Sequence, residues 1–312
     1  MLSLPLAALS WLGRQGPVAL IFVLLIAFLL PPVGNLLRPF VTEAVFLSLI
    51  MAFMRIDPAR LKATLARPGT AILIVGWTMI ALPLITYAVL HFTGVEAAAP
   101  AIFLALMIQT ITMPIMAAPS MVMMVGLDGT LSLVAIVFGG AMMPILTPSL
   151  IALLDLPLAI SPWALAQKLA LTLAGSAAAG LAMRRLVGAA RIARNRSAMD
   201  GLNVLVMFIF VSSVFGDILF TAIAEPGRIL GLTALAFVTN FGLLFAAWIL
   251  LRPMGPEAAP SLAIVGSQRN MGLMLAVAGA SLPDTVWLYV AMGQIPILLV
   301  PLALKLGARR LA

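Results

Sequence analysis

AAPSLAIVGSQRNMGLMLAVAGAS, residues 258–281, is an apolar run that carries Gly266-Ser-Gln-Arg-Asn270 at its centre. The run is long enough to cross a bilayer, since a spanning helix needs about 20 mainly apolar residues. Polar residues in the middle of such a run cannot face hydrocarbon, so protein must enclose them or water must reach them. The stretch therefore predicts a membrane-spanning helix that is interrupted near its midpoint.

A second apolar run, residues 99–125, is interrupted in a comparable place. It contains Gln109-Thr-Ile-Thr-Met-Pro114 and then Ala117-Ala-Pro-Ser120. Each proline removes a backbone hydrogen bond, which a helix in lipid tolerates where neighbours or water re-satisfy the carbonyls. The prolines alone are equally compatible with a simple kink in a packing helix. Two interrupted helices in matching positions of a chain point instead to a binding site at the membrane midplane.

Apolar runs recur along the whole chain, which has 312 residues, of which 63% are hydrophobic and 9% charged. A soluble domain carries about 25% charged residues, so this chain has too few to cover a water-facing surface. The composition indicates an all-α polytopic membrane protein with a single transmembrane domain over residues 1–312. Ten spans can be laid out, at about residues 17–34, 40–55, 69–91, 99–125, 130–154, 162–186, 202–222, 228–251, 258–281 and 285–304.

The two halves of the chain resemble each other at an offset of about 150 residues. Ser120-Met-Val-Met-Met-Val-Gly-Leu-Asp-Gly129 is similar to Asn270-Met-Gly-Leu-Met-Leu-Ala-Val-Ala-Gly279, although apolar sequence also produces chance matches. The halves, about 17–154 and about 162–304, would hold five spans each. An odd number forces them into opposite orientations, so the pattern predicts two inverted five-helix repeats with broken, crossing helices 4 and 9.

Lysine and arginine set the predicted orientation. With the N-terminus in the cytoplasm, fourteen of the basic residues fall in inside loops or tails, and Arg38 and Arg228 fall outside. This positive-inside bias predicts a multi-pass protein of the cell inner membrane with both termini cytoplasmic. The net charge of +8 comes from these loops, which face anionic lipid, so we expect the bilayer and no nucleic acid as partner.

Several chemical functions are excluded by the residues that the chain lacks. It has no cysteine and one histidine, His91, which excludes thiolate chemistry and any multi-histidine metal site. An intramembrane hydrolase needs paired aspartates or a serine–histidine pair at depth. Asp217 has no deep acidic partner and His91 lies at a span end. We therefore predict no enzyme activity, no metal and no cofactor.

Arg269 is the most informative residue of the chain. An arginine at the membrane centre costs at least ~2.5–3.5 kcal/mol, and no acidic residue lies near it in the predicted spans. Two readings stay open: the guanidinium is a structural tether to carbonyls and water, or it binds an anion. In the second reading, we predict a substrate site for a small carboxylate. Its residues would be Arg269, Asn270, Gln268, Ser267, Ser120 and Asn240, although an asparagine such as Asn240 more often joins helices.

The chain resembles the bile acid:sodium symporter family, including its bacterial members, over about residues 17–304. The resemblance rests on Met54-Arg-Ile-Asp-Pro-Ala-Arg-Leu61, Asp128-Gly-Thr-Leu-Ser132, Pro144-Ile-Leu-Thr-Pro148, Thr239-Asn-Phe-Gly242 and Asn270-Met-Gly-Leu273, and on their order and spacing. It implies a fold of two inverted five-helix repeats, with a panel and a core domain and crossed, broken helices 4 and 9.

The departures from this family concern its sodium ligands. A glutamate and a glutamine of the ninth helix correspond to Val265 and Arg269, and a glutamine of the third helix corresponds to Thr78. A serine–asparagine pair of the fourth helix falls within Ala118-Pro-Ser120, and a threonine corresponds to Ile136. Ser132 survives, although a serine in a membrane helix most often bonds its own backbone. The ion-binding positions Ser132, Thr78 and Val265 therefore imply that sodium no longer binds as in the family.

What the resemblance implies is a secondary transporter that moves a small organic anion by alternating access, without sodium coupling. The alternatives are a membrane sensor or assembly scaffold without transport, and a permease like the arsenite exporters. Those exporters share the fold, but their mechanism is thought to need a cysteine, which is absent here.

Overall fold

A computed structural model describes residues 4–15, 17–56 and 68–311 of the chain. These residues are helical and form no strand, as the composition predicts, and one isolated β-bridge joins Pro114 to Arg269. The α-helices are α1 Leu4–Gln15, α2 Pro17–Leu29, α3 Pro31–Leu37, α4 Val41–Arg55, α5 Pro68–Val75, α6 Leu82–Phe92, α7 Val95–Ala98, α8 Pro100–Ile111, α9 Ala118–Met124, α10 Thr130–Leu153, α11 Pro162–Val187, α12 Ala189–Arg194, α13 Arg196–Phe215, α14 Ile218–Ala224, α15 Pro226–Leu250, α16 Ala258–Ser267, α17 Met271–Ala278 and α18 Asp284–Leu311.

Short irregular turns connect or interrupt these helices. A π-helical segment, Gly76–Ala81, joins α5 to α6 without a break. Three 3₁₀ turns occupy Arg38–Phe40, Arg252–Met254 and Gly279–Ser281.

Six helices are long and apolar enough to cross a membrane, by length and composition, among the described residues. A seventh candidate is the pair α1 and α2, whose axes are bent by 94°. The architecture is that of a polytopic membrane protein. The six helices are Pro31–Arg55, Gly69–Phe92, Thr130–Leu153, Pro162–Val187, Arg196–Ala224 and Pro226–Leu250.

The interruptions predicted in the runs 99–125 and 258–281 are present: α8 and α9 are separated by six residues, 112–117, and α16 and α17 by three, 268–270. The other two predicted spans, 17–34 and 285–304, coincide with α2 to α3 and with α18. Pro114 removes a helical donor at the first break. The second break contains no proline, and its backbone pairs with the first break instead of with its own helix. Each predicted span thus coincides with a helix or an interrupted pair, while the count of ten crossings and the inverted repeat stay predictions.

Two compact units divide the chain. The first unit contains Met1–Ile56 and Leu171–Leu230, and the second contains Asp57–Ala170 and Gly231–Ala312. Each unit therefore takes one segment from each predicted repeat. The motif that begins at Met54 continues into residues 57–61, which lie outside the described part of the chain.

Within the first unit, glycines let helix backbones touch. A Cβ atom on Gly201 of α13 would lie 1.9 Å from the carbonyl oxygen of Leu9 on α1, and one on Gly34 would lie 2.5 Å from Ser212 O. No side chain fits at either position, so glycine sets the helix spacing there. Near the second contact, Arg38 pairs with Asp217 at 3.0 Å.

Within the second unit, the interrupted helices pack against long ones. The carbonyl of Ile111, at the end of α8, accepts a 2.7 Å hydrogen bond from the Thr147 hydroxyl of α10. A buried apolar cluster joins α5, α9, α10 and α16 and includes Ile74, Ala118, Ile136 and Val265. These contacts hold both interruptions in one packed body.

Candidate functional site

The site is built on the two interruptions, whose backbones pair with each other. Ile115 N donates to Gln268 O and Asn270 N donates to Met113 O, both at 2.9 Å. These two hydrogen bonds flank the β-bridge between Pro114 and Arg269. Backbone groups released by two broken helices are thus satisfied by one another, as a bilayer interior requires.

Arg269 projects from this pairing into the protein interior. The residue is 1% exposed. Its Nη2 atom donates to the carbonyl oxygen of Thr78 at 2.7 Å and to that of Thr110. Its other close neighbour is Met79, whose Sδ atom is 3.8 Å from Nη2. No acidic side chain of the described residues forms an ion pair with it, so backbone dipoles stabilise the charge.

A proline accounts for the free carbonyl of Thr78. In the π-helical turn, Leu82 N donates to Trp77 O, so it is not available to Thr78 in the α-helical pattern. The next residue, Pro83, has no N–H group to donate. Thr78 O is therefore left without a helical partner, and Arg269 supplies one.

A second proline accounts for the free carbonyl of Thr110. In a continuous helix, the carbonyl of residue 110 would accept from the N–H of residue 114, which is Pro114. The carbonyls at the end of α8 also carry the negative end of the helix dipole. The guanidinium thus binds two carbonyls that prolines on two different helices have released.

Three of the five N–H groups of the guanidinium have no partner in the described residues. Its Nε and Nη1 atoms are buried and bond to no group in the described residues. Nη2 has two N–H groups, and both are directed at carbonyls. Both paired edges of a guanidinium include Nη2, so a bidentate carboxylate would require Nη2 to release one carbonyl. Single hydrogen bonds from Nε and Nη1 need no such change.

Gln268, Ser267 and Asn240 form a buried polar chain beside the second interruption. Gln268 Nε2 donates to Asn240 Oδ1 at 2.9 Å and to Ser267 Oγ at 3.2 Å. Asn240 Nδ2 lies 3.5 Å from Ser267 O, and Ser267 Oγ donates to Ile264 O. Since these last two bonds end on backbone carbonyls, they fix the amide orientations, and Gln268 Oε1 is left as an unpaired acceptor.

The two other predicted substrate residues, Asn270 and Ser120, do not take part in the hydrogen bonds among Gln268, Ser267 and Asn240. Asn270 precedes α17, and its backbone pairs with Met113, while its side chain makes no capping hydrogen bond. Ser120 lies in the first turn of α9 and is exposed. No described hydrogen bond connects the Ser120 hydroxyl to Arg269. The structure therefore brings together Arg269, Gln268, Ser267 and Asn240 around the break and places Ser120 elsewhere.

The three positions predicted from the family's sodium ligands have partners of their own. The Thr78 hydroxyl donates to Ile74 O at 2.7 Å, and the Ser132 hydroxyl donates to Gly129 O at 2.8 Å. Val265 is fully buried in the apolar cluster, where Ala118 and Ile136 also lie. Val265, Ala118 and Ile136, which the resemblance matches to sodium-ligand positions of the family, thus lie together in an apolar cluster. Among the described residues, no group of three histidine or acidic side chains could hold a metal ion.

Sequence reasoning missed a second buried polar group. Tyr289 of α18 donates to Gln109 Oε1 on α8, and its hydroxyl lies 2.7 Å from Thr239 Oγ1 on α15. Tyr289 is 1% exposed. A tyrosine in an apolar span needs a hydrogen-bond partner, and that was the available signal. Trp77 of the π-helical segment adds an unpaired buried Nε1.

Comparison with protein-family models finds no match for this chain, and neither does comparison with curated proteins.

Proposed function

We propose that this chain is a secondary transporter of a small organic anion, with Arg269 as the group that recognises the anionic charge. The observation that carries the proposal is a buried guanidinium with no acidic partner in the described residues, held where two interrupted helices pair, with Nε and Nη1 uncommitted. A carboxylate there would offset the cost of the buried charge and accept a hydrogen bond from Nε or from Nη1.

The architecture supports transport by alternating access. The first two predicted spans of each half fall mainly in the first compact unit, and the last three of each half fall in the second. Such a division is expected of two inverted five-helix repeats, in which matching helices of both halves build the same body. The proposal includes a ten-span topology in the cell inner membrane and the family resemblance described above.

We further propose that sodium does not drive the transport. Sodium requires several oxygen ligands, and the position of the family's glutamate is Val265 in an apolar cluster. The nearby carbonyls of Thr78 and Thr110 already bind a cation that belongs to the chain, Arg269. The proposed function requires no cofactor and includes no enzymatic reaction.

A structural role for Arg269 is the competing proposal, because its Nη2 atom is committed to two backbone carbonyls. In that case the chain would be a sensor or scaffold, a permease like the arsenite exporters, or a transporter that binds its substrate elsewhere. A ligand-stabilisation screen separates the possibilities. A ligand that binds the native state raises its melting temperature by mass action.

The screen uses purified protein and a panel of small mono- and dicarboxylates, with neutral amides of the same size as matched controls. We expect at least one carboxylate to raise the melting temperature in a saturable way, and its amide to have no effect. If carboxylates and amides never differ, recognition of an anion is wrong. Uptake of the radiolabelled carboxylate into proteoliposomes then tests transport itself.

A further inference from the structure

Seven arginines from five helices meet at one end of the first compact unit. Four contacts bring these helix ends together. Arg55 pairs with Asp200 at 2.7 Å, and Arg184 donates to Met54 O at 2.9 Å. A Cβ atom on Gly13 would lie 1.9 Å from Ser197 O, and Ile192 packs with Met54 and Ile50. We call this group the arginine end; its members are Arg14, Arg55, Arg184, Arg185, Arg191, Arg194 and Arg196.

The charge of the arginine end is largely uncompensated. Among the described residues, Asp200 is the one acidic side chain in its contacts, and it is paired with Arg55. The side chains of Arg185, Arg191 and Arg194 are exposed. No sequence position from 171 to 199 is acidic. This surface therefore carries a strong positive potential that an external anion would neutralise.

Helix dipoles explain only part of this pattern. A cation in the last turn of a helix interacts favourably with the dipole, and six of the seven arginines lie in such turns: Arg14, Arg55, Arg184, Arg185, Arg191 and Arg194. Arg196 is the first residue of α13, where the dipole is unfavourable for a cation. The dipole therefore does not account for Arg196, whose side chain is exposed and open to an external anion.

The neighbouring side chains indicate a lipid surface. Pro31–Arg55, Pro162–Val187 and Arg196–Ala224 are candidate spans, and their ends at the arginine end would lie at the bilayer boundary. Leu186, next to Arg185, is 86% exposed. Basic heads beside exposed apolar side chains match a phosphate headgroup above an acyl chain. A soluble anion would use the charges but not the apolar neighbours.

We propose that the arginine end binds the headgroups of anionic phospholipids. The proposal is independent of what the protein transports. Binding would place four or more arginines against lipid phosphates, each contributing a screened, additive attraction. It would also join α1, α4, α11, α12 and α13 through a shared layer of counter-charges.

The test uses purified protein in a neutral detergent. Dioctanoyl phosphatidylglycerol is titrated while the melting temperature is recorded, with dioctanoyl phosphatidylcholine as the zwitterionic control and inorganic phosphate as the free anion. We expect a saturable rise with phosphatidylglycerol, at a concentration at least tenfold lower than any rise with phosphatidylcholine. Raising NaCl from about 50 to about 300 mM should weaken the effect, because the arginines are exposed.

Two double variants test the location. Arg191→Gln with Arg194→Gln should raise the half-saturating lipid concentration about tenfold. Lys168→Gln with Arg252→Gln removes two exposed charges outside the first unit and should leave the half-saturating lipid concentration unchanged. Equal effects of the two lipids, equal losses in both double variants, or the full shift from inorganic phosphate alone would each overturn the proposal. If a variant fails to fold, the lipid titrations and their dependence on NaCl, both measured on the unaltered protein, still test whether anionic headgroups bind.

Discussion

At the scale of single residues, the balance of interactions around Arg269 sets both stability and recognition. Burying the guanidinium is costly, and the two carbonyl bonds from Nη2 recover part of that cost. The uncommitted Nε and Nη1 atoms leave the remainder unrecovered. An arginine that served the fold alone would gain from a partner on these atoms, which is why we assign them to an anionic substrate.

Replacing Arg269 by glutamine should abolish binding of the carboxylate found in the screen. The charge and the free N–H groups disappear together. The apo protein should lose little stability, because two carbonyls left unpaired cost ~1–3 kcal/mol each while an uncompensated buried charge is removed. Ligand titrations and apo melting temperatures measure both effects.

Arg269→Lys separates charge from geometry. The ammonium keeps the charge but cannot hold two carbonyls and an anion from one planar group, so affinity should fall by tenfold or more without being lost. Arg252→Gln, at an exposed position, is the matched control and should bind normally. Normal binding by Arg269→Gln together with a large loss of apo stability would show that the arginine is structural.

The prediction that transport is not coupled to sodium rests on Val265. Because this position is aliphatic and fully buried, uptake or binding of the carboxylate should be nearly unchanged when sodium is replaced by potassium at fixed ionic strength. Binding isotherms in the two salts measure this directly. A steep and saturable dependence on sodium would contradict it and would direct attention to the hydroxyls of Ser132 and Ser267.

At the scale of elements, the two carbonyls that Arg269 binds were both released by prolines. Pro83 prevents the π-helical turn from closing on Thr78 O, and Pro114 ends α8 before Thr110 O finds a donor. The interrupted helices and the arginine therefore depend on each other, because the prolines release the carbonyls to which Arg269 donates. Its parts should be energetically coupled although they lie on three different segments.

A double-mutant cycle measures this coupling. Pro83→Ala restores an N–H group that can donate to Thr78 O, so Arg269→Gln should cost less stability in that background. We expect an interaction free energy of about 0.5–3 kcal/mol from melting or denaturant curves. Pro144→Ala, at a proline inside α10, is the control and should be additive with Arg269→Gln. Additivity in both cycles would contradict the proposed link between Pro83 and Arg269.

The interruptions could be predicted from sequence because proline and consecutive polar residues leave a local mark. The partners of Arg269 could not be predicted, because they are backbone carbonyls, which no residue type identifies, and because Thr78 lies 191 positions away in sequence. The contact between Tyr289 and Gln109 joins two side chains 180 positions apart, and the sequence pattern does not pair them. Ser120, which the sequence places in the interrupted fourth span, lies exposed in the first turn of α9, and its role in the site stays a prediction.

At the scale of the whole molecule, the distribution of arginine and lysine predicts which side each terminus occupies. A reporter that matures only in the periplasm should give no signal when fused to Ala312, and a cytoplasmic reporter should be active there. The same periplasmic reporter inserted after Glu225, in the predicted outside loop between α14 and α15, is the positive control. Strong periplasmic signal at Ala312 would contradict the ten-span layout.

The division into two compact units could not be predicted from the local sequence. Two of its boundaries fall inside the continuous helices α11 and α15, where no linker composition marks them, and the third falls between Ile56 and Asp57. At the first two boundaries a continuous helix connects the units, so no polar linker is needed there. Hydropathy therefore located the helices well, while their assignment to units needed the three-dimensional contacts.

The mutual pairing of the two interruptions has a consequence for biosynthesis. Gln268 is made about 150 residues after Ile115, which at about 5–20 residues per second is a delay of ~8–30 s on the ribosome. During that interval, Ile115 N and Met113 O have no backbone partner, and hydrocarbon would not tolerate them. We therefore expect the segment between α8 and α9 to wait beside the insertion machinery, in contact with water, until the second half of the chain arrives.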